Sequence, residues 1–189
     1  TNEFVGFVRA TMEDGSDGWG QVSTYHSDIT CQVLHRQVGP WMLGRDVTDL
    51  DDALDIVAER EHKFPGSYLR RAMAGVDTAI WDQRGKAAGL PVAALLGGEA
   101  GPIRAYASSM KRDITPKDEA ERLKALAGDL GYTAFKVRAG AEVGRDQDEW
   151  PGRTEEIIPT IRAALPDADL LIDGNSCYSP KRAIEMGRM

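Results

Sequence analysis

The residues able to do chemistry in this sequence fall in two pairs with one spacing. Lys136 and Arg138 stand two apart in Ala134-Phe135-Lys136-Val137-Arg138, and Asp173 and Asn175 stand two apart in Leu171-Ile172-Asp173-Gly174-Asn175. Side chains on a strand alternate faces, so each pair shares a face, with Val137 on the other. Two cations facing a carboxylate and an amide make an expensive grouping in an interior. It becomes reasonable where an anionic substrate and a metal ion gather. The competing reading is a buried ion network, with Lys136 and Arg138 pairing with Asp173 and other acids. Asp173 alone is not a metal site. A hard cation such as Mg2+ takes about six oxygens, typically from one or two carboxylates, waters and substrate. The other carboxylates must come from strands absent here.

The elements positioning these residues alternate from Pro102 onward. Ile103 to Ser108 reads as a strand; Thr115 caps a helix with Pro116 at its first position, and Gly131 ends it. Ala134 to Arg138 is the next strand, Thr154 to Leu165 the next helix, with Ile157, Ile158, Ile161 and Leu165 inward. Leu170 to Asp173 is a third strand, and Ser179 followed by Pro180 starts a third helix. Three βα units at this pitch suit a parallel sheet, either a TIM-type barrel or a doubly wound sheet. No GxGxxG loop follows the first strand, which counts against nucleotide binding. A closed barrel needs eight units and typically about 250 residues, so the expectation is an incomplete barrel within a longer protein. In such a barrel the carboxyl ends of the strands carry the active site, and both polar pairs fall there.

The first third reads as α+β. Phe4 to Thr11 is rich in strand formers and ends at the turn signal Glu13-Asp14-Gly15; Gly18 to Ser23 returns as a hairpin. Helical segments follow around Asp28 to Val38 and Leu50 to Glu61. The strongest helix runs from Tyr68 to Gly85, with Leu69, Met73, Val76 and Ile80 in one stripe and Gly85 and Gly89-Leu90-Pro91 as stop signals. Leu95-Leu96-Gly97-Gly98 is the expected junction, dividing an α+β domain over 1–98 from three βα units over 99–189. A net charge of −7 argues against a nucleic-acid or anionic-membrane surface. No apolar run approaches the roughly 18–20 residues needed to span a bilayer. Cys31 and Cys177 lack metal spacing and fit packed thiols in a reduced, cytoplasmic compartment.

Four segments, in order, resemble the mandelate racemase/muconate lactonizing enzyme family of the enolase superfamily. Phe135-Lys136-Val137-Arg138 resembles the family's Lys-x-Lys strand, and Leu171 to Asn175 its Asp-x-Asn strand. Asp14-Gly15 with Gly18-Trp19-Gly20 resembles the hairpin of its capping domain. Ala74 to Asp82, continuing through Gly85-Lys86 to Leu95-Leu96-Gly97-Gly98, resembles the capping helix and the connection into the barrel. The resemblance implies a capping domain, its first strand missing, followed by the start of the barrel. It also implies a shared step: a base removes the proton alpha to a carboxylate, and Mg2+ stabilises the ene-diolate. By carry-over Asp173 ligates the metal, Lys136 supports the substrate carboxylate, and Asn175 hydrogen-bonds a substrate hydroxyl or carboxylate. Tyr25 and His26 fall where such capping domains place a specificity loop, although an exposed polar turn fits them as well. A homo-oligomer is expected on the same ground.

One departure tilts the chemistry. Arg138 stands where the family often has a second lysine acting as base, and an arginine holds its proton too firmly for that role. Arg138 is therefore expected to bind or stabilise charge, with the base on a later strand. A racemase needs acid–base groups on both faces of the alpha carbon, whereas a dehydratase can use one base and one acid. The balance favours dehydration of an acid sugar over racemisation or epimerisation of a 2-hydroxy acid, with a non-catalytic binding or structural relative as the remaining reading. The stretch alone is not expected to catalyse. Tyr106 is expected to fill the barrel, while Lys111 and Arg112 either approach an anion or are solvated.

Overall fold

The computed structural model describes residues 4–142 and 144–189. The chain forms two compact units, Thr1–Gly101 and Pro102–Met189. No helix among the described residues is long and apolar enough to cross a membrane.

In the first unit β1 (Phe7–Thr11) and β2 (Asp17–Gln21) pair antiparallel around Arg9 and Trp19. The hairpin lies on a long helix, α4 (Ser67–Ala88), which follows α1 (Ser27–Val33), a π-helical turn (Leu34–Val38), α2 (Gly39–Met42) and α3 (Leu50–Arg60). The approach of strand to helix is set by glycine. A Cβ on Gly18 would stand 1.9 Å from the Ala79 carbonyl oxygen, and one on Gly20 2.1 Å from that of Gly75. Trp19 faces away, half-exposed, and its backbone N–H donates to Asp82 Oδ2 at 2.8 Å. The α4 stripe is buried as its spacing predicts, and Leu69, Met73, Val76 and Ile80 pack with Val8, Val22, Val38, Leu50 and Val57. Each such side chain contributes roughly 1.5–3 kcal/mol by leaving water. The helix does not stop at Gly85. It runs to Ala88, and Gly89, at φ 66°, takes the left-handed cap that glycine favours. Gly85 instead makes room for the returning Leu90 carbonyl, 3.0 Å from where a Cβ would sit. A short α5 (Val92–Leu95) follows.

The second unit is three βα pairs with strands adjacent and parallel in the order β3-β4-β5. They are β3 (Ala107–Ser108), α6 (Pro116–Leu130), β4 (Ala134–Arg138), α7 (Arg153–Ala164), β5 (Asp169–Asp173) and α8 (Pro180–Gly187). Caps account for the helix starts: Thr115 accepts from the Asp118 N–H, and Ser179 from that of Arg182. Phe135 and Val137 of β4 are buried against Leu123 of α6 and Ile157 and Ile161 of α7. The strand expected over Ile103 to Ser108 pairs only at Ala107 and Ser108. Ile103 is 92% exposed, because β propensity without a hydrogen-bonding neighbour does not make a strand.

Candidate active site

The pleat of β4 sends Phe135 and Val137 to the helices, and so puts Lys136 and Arg138 on the opposite face. Register then sets Arg138 beside Asp173 of β5. Lys136 Nζ lies 3.0 Å and Arg138 Nη1 2.9 Å from Asp173 Oδ2. Arg138 Nη1 also donates to Asn175 Oδ1 at 2.5 Å, and Nη2 approaches Met110 Sδ at 3.1 Å. Asp173 Oδ1 accepts the Asn175 backbone N–H at 3.0 Å. The hydrogen bond from Lys136 holds the Asp173 carboxyl below its ordinary pKa, against the opposing effect of burial and with help from the Asn175 N–H and the charge of Arg138.

The turn after β5 is unusual. Asn175 and Ser176 are consecutive non-glycine residues with positive φ, 49° and 63°. Asparagine tolerates this conformation better than most residues, and here it aims its amide at Arg138. The four residues predicted to act together do converge, and in doing so they also form the ion network that was the competing reading.

Asp173 suits a hard cation as one ligand. Its side chain is 23% exposed, and hydrogen bonds from Lys136 and the Asn175 N–H occupy two of roughly four lone-pair directions, with Arg138 adding an ion pair. Among the described residues no three His, Cys, Asp or Glu side chains are grouped to hold a metal, so Asp173 fits as a single contributor. Tyr25 and His26 lie in the first unit, both exposed, with rings edge-on at 6.1 Å and Arg71 donating to the Tyr25 carbonyl.

Several neighbours escaped sequence reasoning. Tyr106, expected as filler, is half-exposed with its ring 5.7 Å from Lys136 Nζ. Fully buried Arg153 donates to the carbonyls of Arg138 at 3.0 Å and Ile114 at 3.2 Å, tying the end of β4 to the loop after β3. Asp148 accepts from both the N–H and hydroxyl of Thr154, whose Oγ1 in turn accepts the Gly140 N–H, fixing the loop after β4. Arg153 opens an amphipathic helix, where an arginine reads as surface; no sequence signal marks it. A cavity of about 300 Å³ adjoins Arg138 and Asn175.

Comparison with known proteins gives these features a context. Residues 1–97 match the mandelate racemase/muconate lactonizing enzyme N-terminal domain, and residues 118–189 the enolase C-terminal domain-like family. The structure of a candidate racemase from Roseobacter denitrificans is 77% identical with a TM-score of 0.94, covering 100% of this chain and 52% of that one. A mandelate racemase/muconate lactonizing protein from Paracoccus denitrificans, complexed with magnesium, is 30% identical with a TM-score of 0.81, covering 96% and 50%. Arabinonate dehydratase of Saccharolobus solfataricus is 29% identical, covering 93% of this chain and 46% of its own length. D-galactarolactone cycloisomerase of Agrobacterium fabrum is 30% identical, covering 95% and 46%. The chain thus spans about half the length of these relatives. With matching models along most of its length, the chain belongs to the mandelate racemase/muconate lactonizing enzyme family.

Proposed function

We propose that residues 1–98 form the capping domain and residues 99–189 the first three barrel units of a magnesium-dependent enzyme that removes the proton alpha to a carboxylate. The net reaction is loss of water from an acid sugar. The observation carrying this reading is the convergence of Lys136 and Arg138 on Asp173 at the carboxyl ends of adjacent parallel strands. When bound, magnesium, with Asp173 as one ligand, supplies Lewis-acid polarisation of the substrate carboxylate. Lys136 binds that carboxylate and stabilises the negative charge growing on it as the proton leaves. Arg138, fixed to Asp173 and Asn175, orients both; a guanidinium makes a poor general base, so the base is another group. Asn175 offers its amide to a substrate hydroxyl. The dehydratase among the relatives supports the acid-sugar substrate, and the magnesium-bound neighbour supports the cofactor.

A second reading, racemisation or epimerisation of a 2-hydroxy acid, is favoured by the description of the Roseobacter neighbour as a candidate racemase. Incubating the full-length protein with magnesium and acid sugars in D2O separates the two. Release of water to give a 2-keto product supports dehydration. Deuterium entering an inverted carboxylate with no loss of water overturns it in favour of racemisation. Asp173→Asn is expected to weaken magnesium binding by calorimetry in either case.

A further inference from the structure

We propose that Tyr178 is a positioning residue for this site, its ring seated between the ends of β4 and β5 and its hydroxyl tied to Thr154, so that Asn175 is held against Arg138. This rests on the function proposed above, in which the Asn175 amide meets a substrate hydroxyl. Asn175 and Ser176 are the central residues of a turn closed by the Cys177 N–H, which donates to the Gly174 carbonyl at 2.8 Å. Positive φ at both central residues is what a type I′ turn requires, and glycine, asparagine and aspartate dominate there. A serine in that conformation persists only where its surroundings over-determine it.

The chain leaving the turn supplies that restraint. Cys177 is buried, its carbonyl accepts the Asp146 N–H at 3.0 Å, and its thiol donates to the Gln147 carbonyl at 3.1 Å. Tyr178 follows. A Cβ on Gly174 would stand 3.1 Å from its Cδ2, and one on Gly140 3.0 Å from its Cζ. The ring therefore lies against the glycine between Asp173 and Asn175, and against the glycine just past Arg138 and Ala139.

The hydroxyl has a defined direction. Tyr178 Oη lies 3.1 Å from Thr154 Oγ1. Thr154 has one hydroxyl proton, and it goes to Asp148 Oδ1 at 2.8 Å, since a carboxylate only accepts. Thr154 Oγ1 also takes the Gly140 N–H at 3.0 Å. The phenol is thus the donor, in the order Tyr178 to Thr154 to Asp148. Burial pushes the Tyr178 pKa up, so the phenol keeps the proton it donates. Thr154 is fully buried in the first turn of α7, whose Ile157 and Ile161 pack against β4. One hydrogen bond therefore ties the left-handed turn to the helix that backs the site.

Tyr178→Phe keeps the ring and removes the donor, while Thr154 retains Asp148 and Gly140. The test uses the full-length protein with magnesium. Hydrogen exchange of the segment 174–177, read by mass spectrometry, is expected to quicken about tenfold, with the segment 134–138 and the melting temperature little changed. On an acid sugar that the protein turns over, kcat/KM is expected to fall about tenfold. In an Asn175→Gly background, which lacks the amide to be positioned, the same substitution is expected to cost less than about threefold. Unchanged exchange in Tyr178→Phe overturns the positioning role whatever the reaction. An equal fall in kcat/KM with and without the Asn175 amide, or no fall at all, overturns it too, because the hydroxyl then serves the fold alone. Turnover of no acid sugar overturns the proposed function, and the exchange result then decides whether Tyr178 holds the turn.

Discussion

The ammonium of Lys136, 3.0 Å from Asp173 Oδ2, holds that carboxyl below its ordinary pKa. If Lys136 stabilises charge that grows on the substrate, Lys136→Met should lower kcat/KM roughly 10²–10³-fold, as loss of one preorganised donor does. Steady-state kinetics of the full-length protein on an acid sugar that it turns over would check this, and a fall of less than threefold would remove Lys136 from the chemistry. The four converging residues were legible because strand alternation is a local rule. Lys136 and Arg138 had to share a face, with Val137 on the other, once the segment was read as a strand. Arg153 was not legible, because its burial depends on where two loops fold back over the strand ends.

At the scale of elements, the hairpin and α4 are joined by the absence of side chains. Gly18 and Gly20 face α4 backbone at distances that no Cβ could occupy. Gly20→Ala should therefore destabilise the first unit by roughly 1–3 kcal/mol through overpacking, whereas Gly15→Ala, with open space but positive φ, should act only through backbone strain. Thermal melts of both variants would show whether the larger loss falls at Gly20. The sequence made the hairpin recognisable by its Gly-Trp-Gly pattern but gave no reason for it; the reason is the partner helix, about sixty residues away. Helix starts were legible because Thr115 and Ser179 act on backbone groups three residues on. The end of α4 was misplaced at Gly85, since one glycine serves packing and the other serves the cap.

For the whole molecule, acid is the informative perturbant. Burial opposes ionisation of Glu119 more than any single partner favours it, yet hydrogen bonds from Arg122 and Ser109 with the charges of Arg122 and Arg153 hold its pKa below the ordinary value. The backbone and hydroxyl of Ser179 hold Asp146 down as well. A carboxyl lowered in the folded state contributes stability that is complete above its unfolded pKa of about 4 and lost as pH falls through the folded value. Asp77, raised by burial, runs the other way over the ordinary carboxylate range. Urea midpoints should be nearly level from pH 7 to 5 and fall steeply below about pH 4. A Glu119→Gln variant should lose part of that acid dependence, and an unchanged profile would remove Glu119 from the account.

The paired left-handed residues after β5 set folding and chemistry against each other. Ser176→Gly should stabilise the fold by about 0.5–1 kcal/mol by relieving its backbone, measurable in urea. Glycine at position 175 would ease the same turn but remove the amide that meets Arg138. If Asn175 serves the substrate as proposed, a lineage drifting under demand for robustness alone would accumulate glycine here and lose that activity while folding better than before.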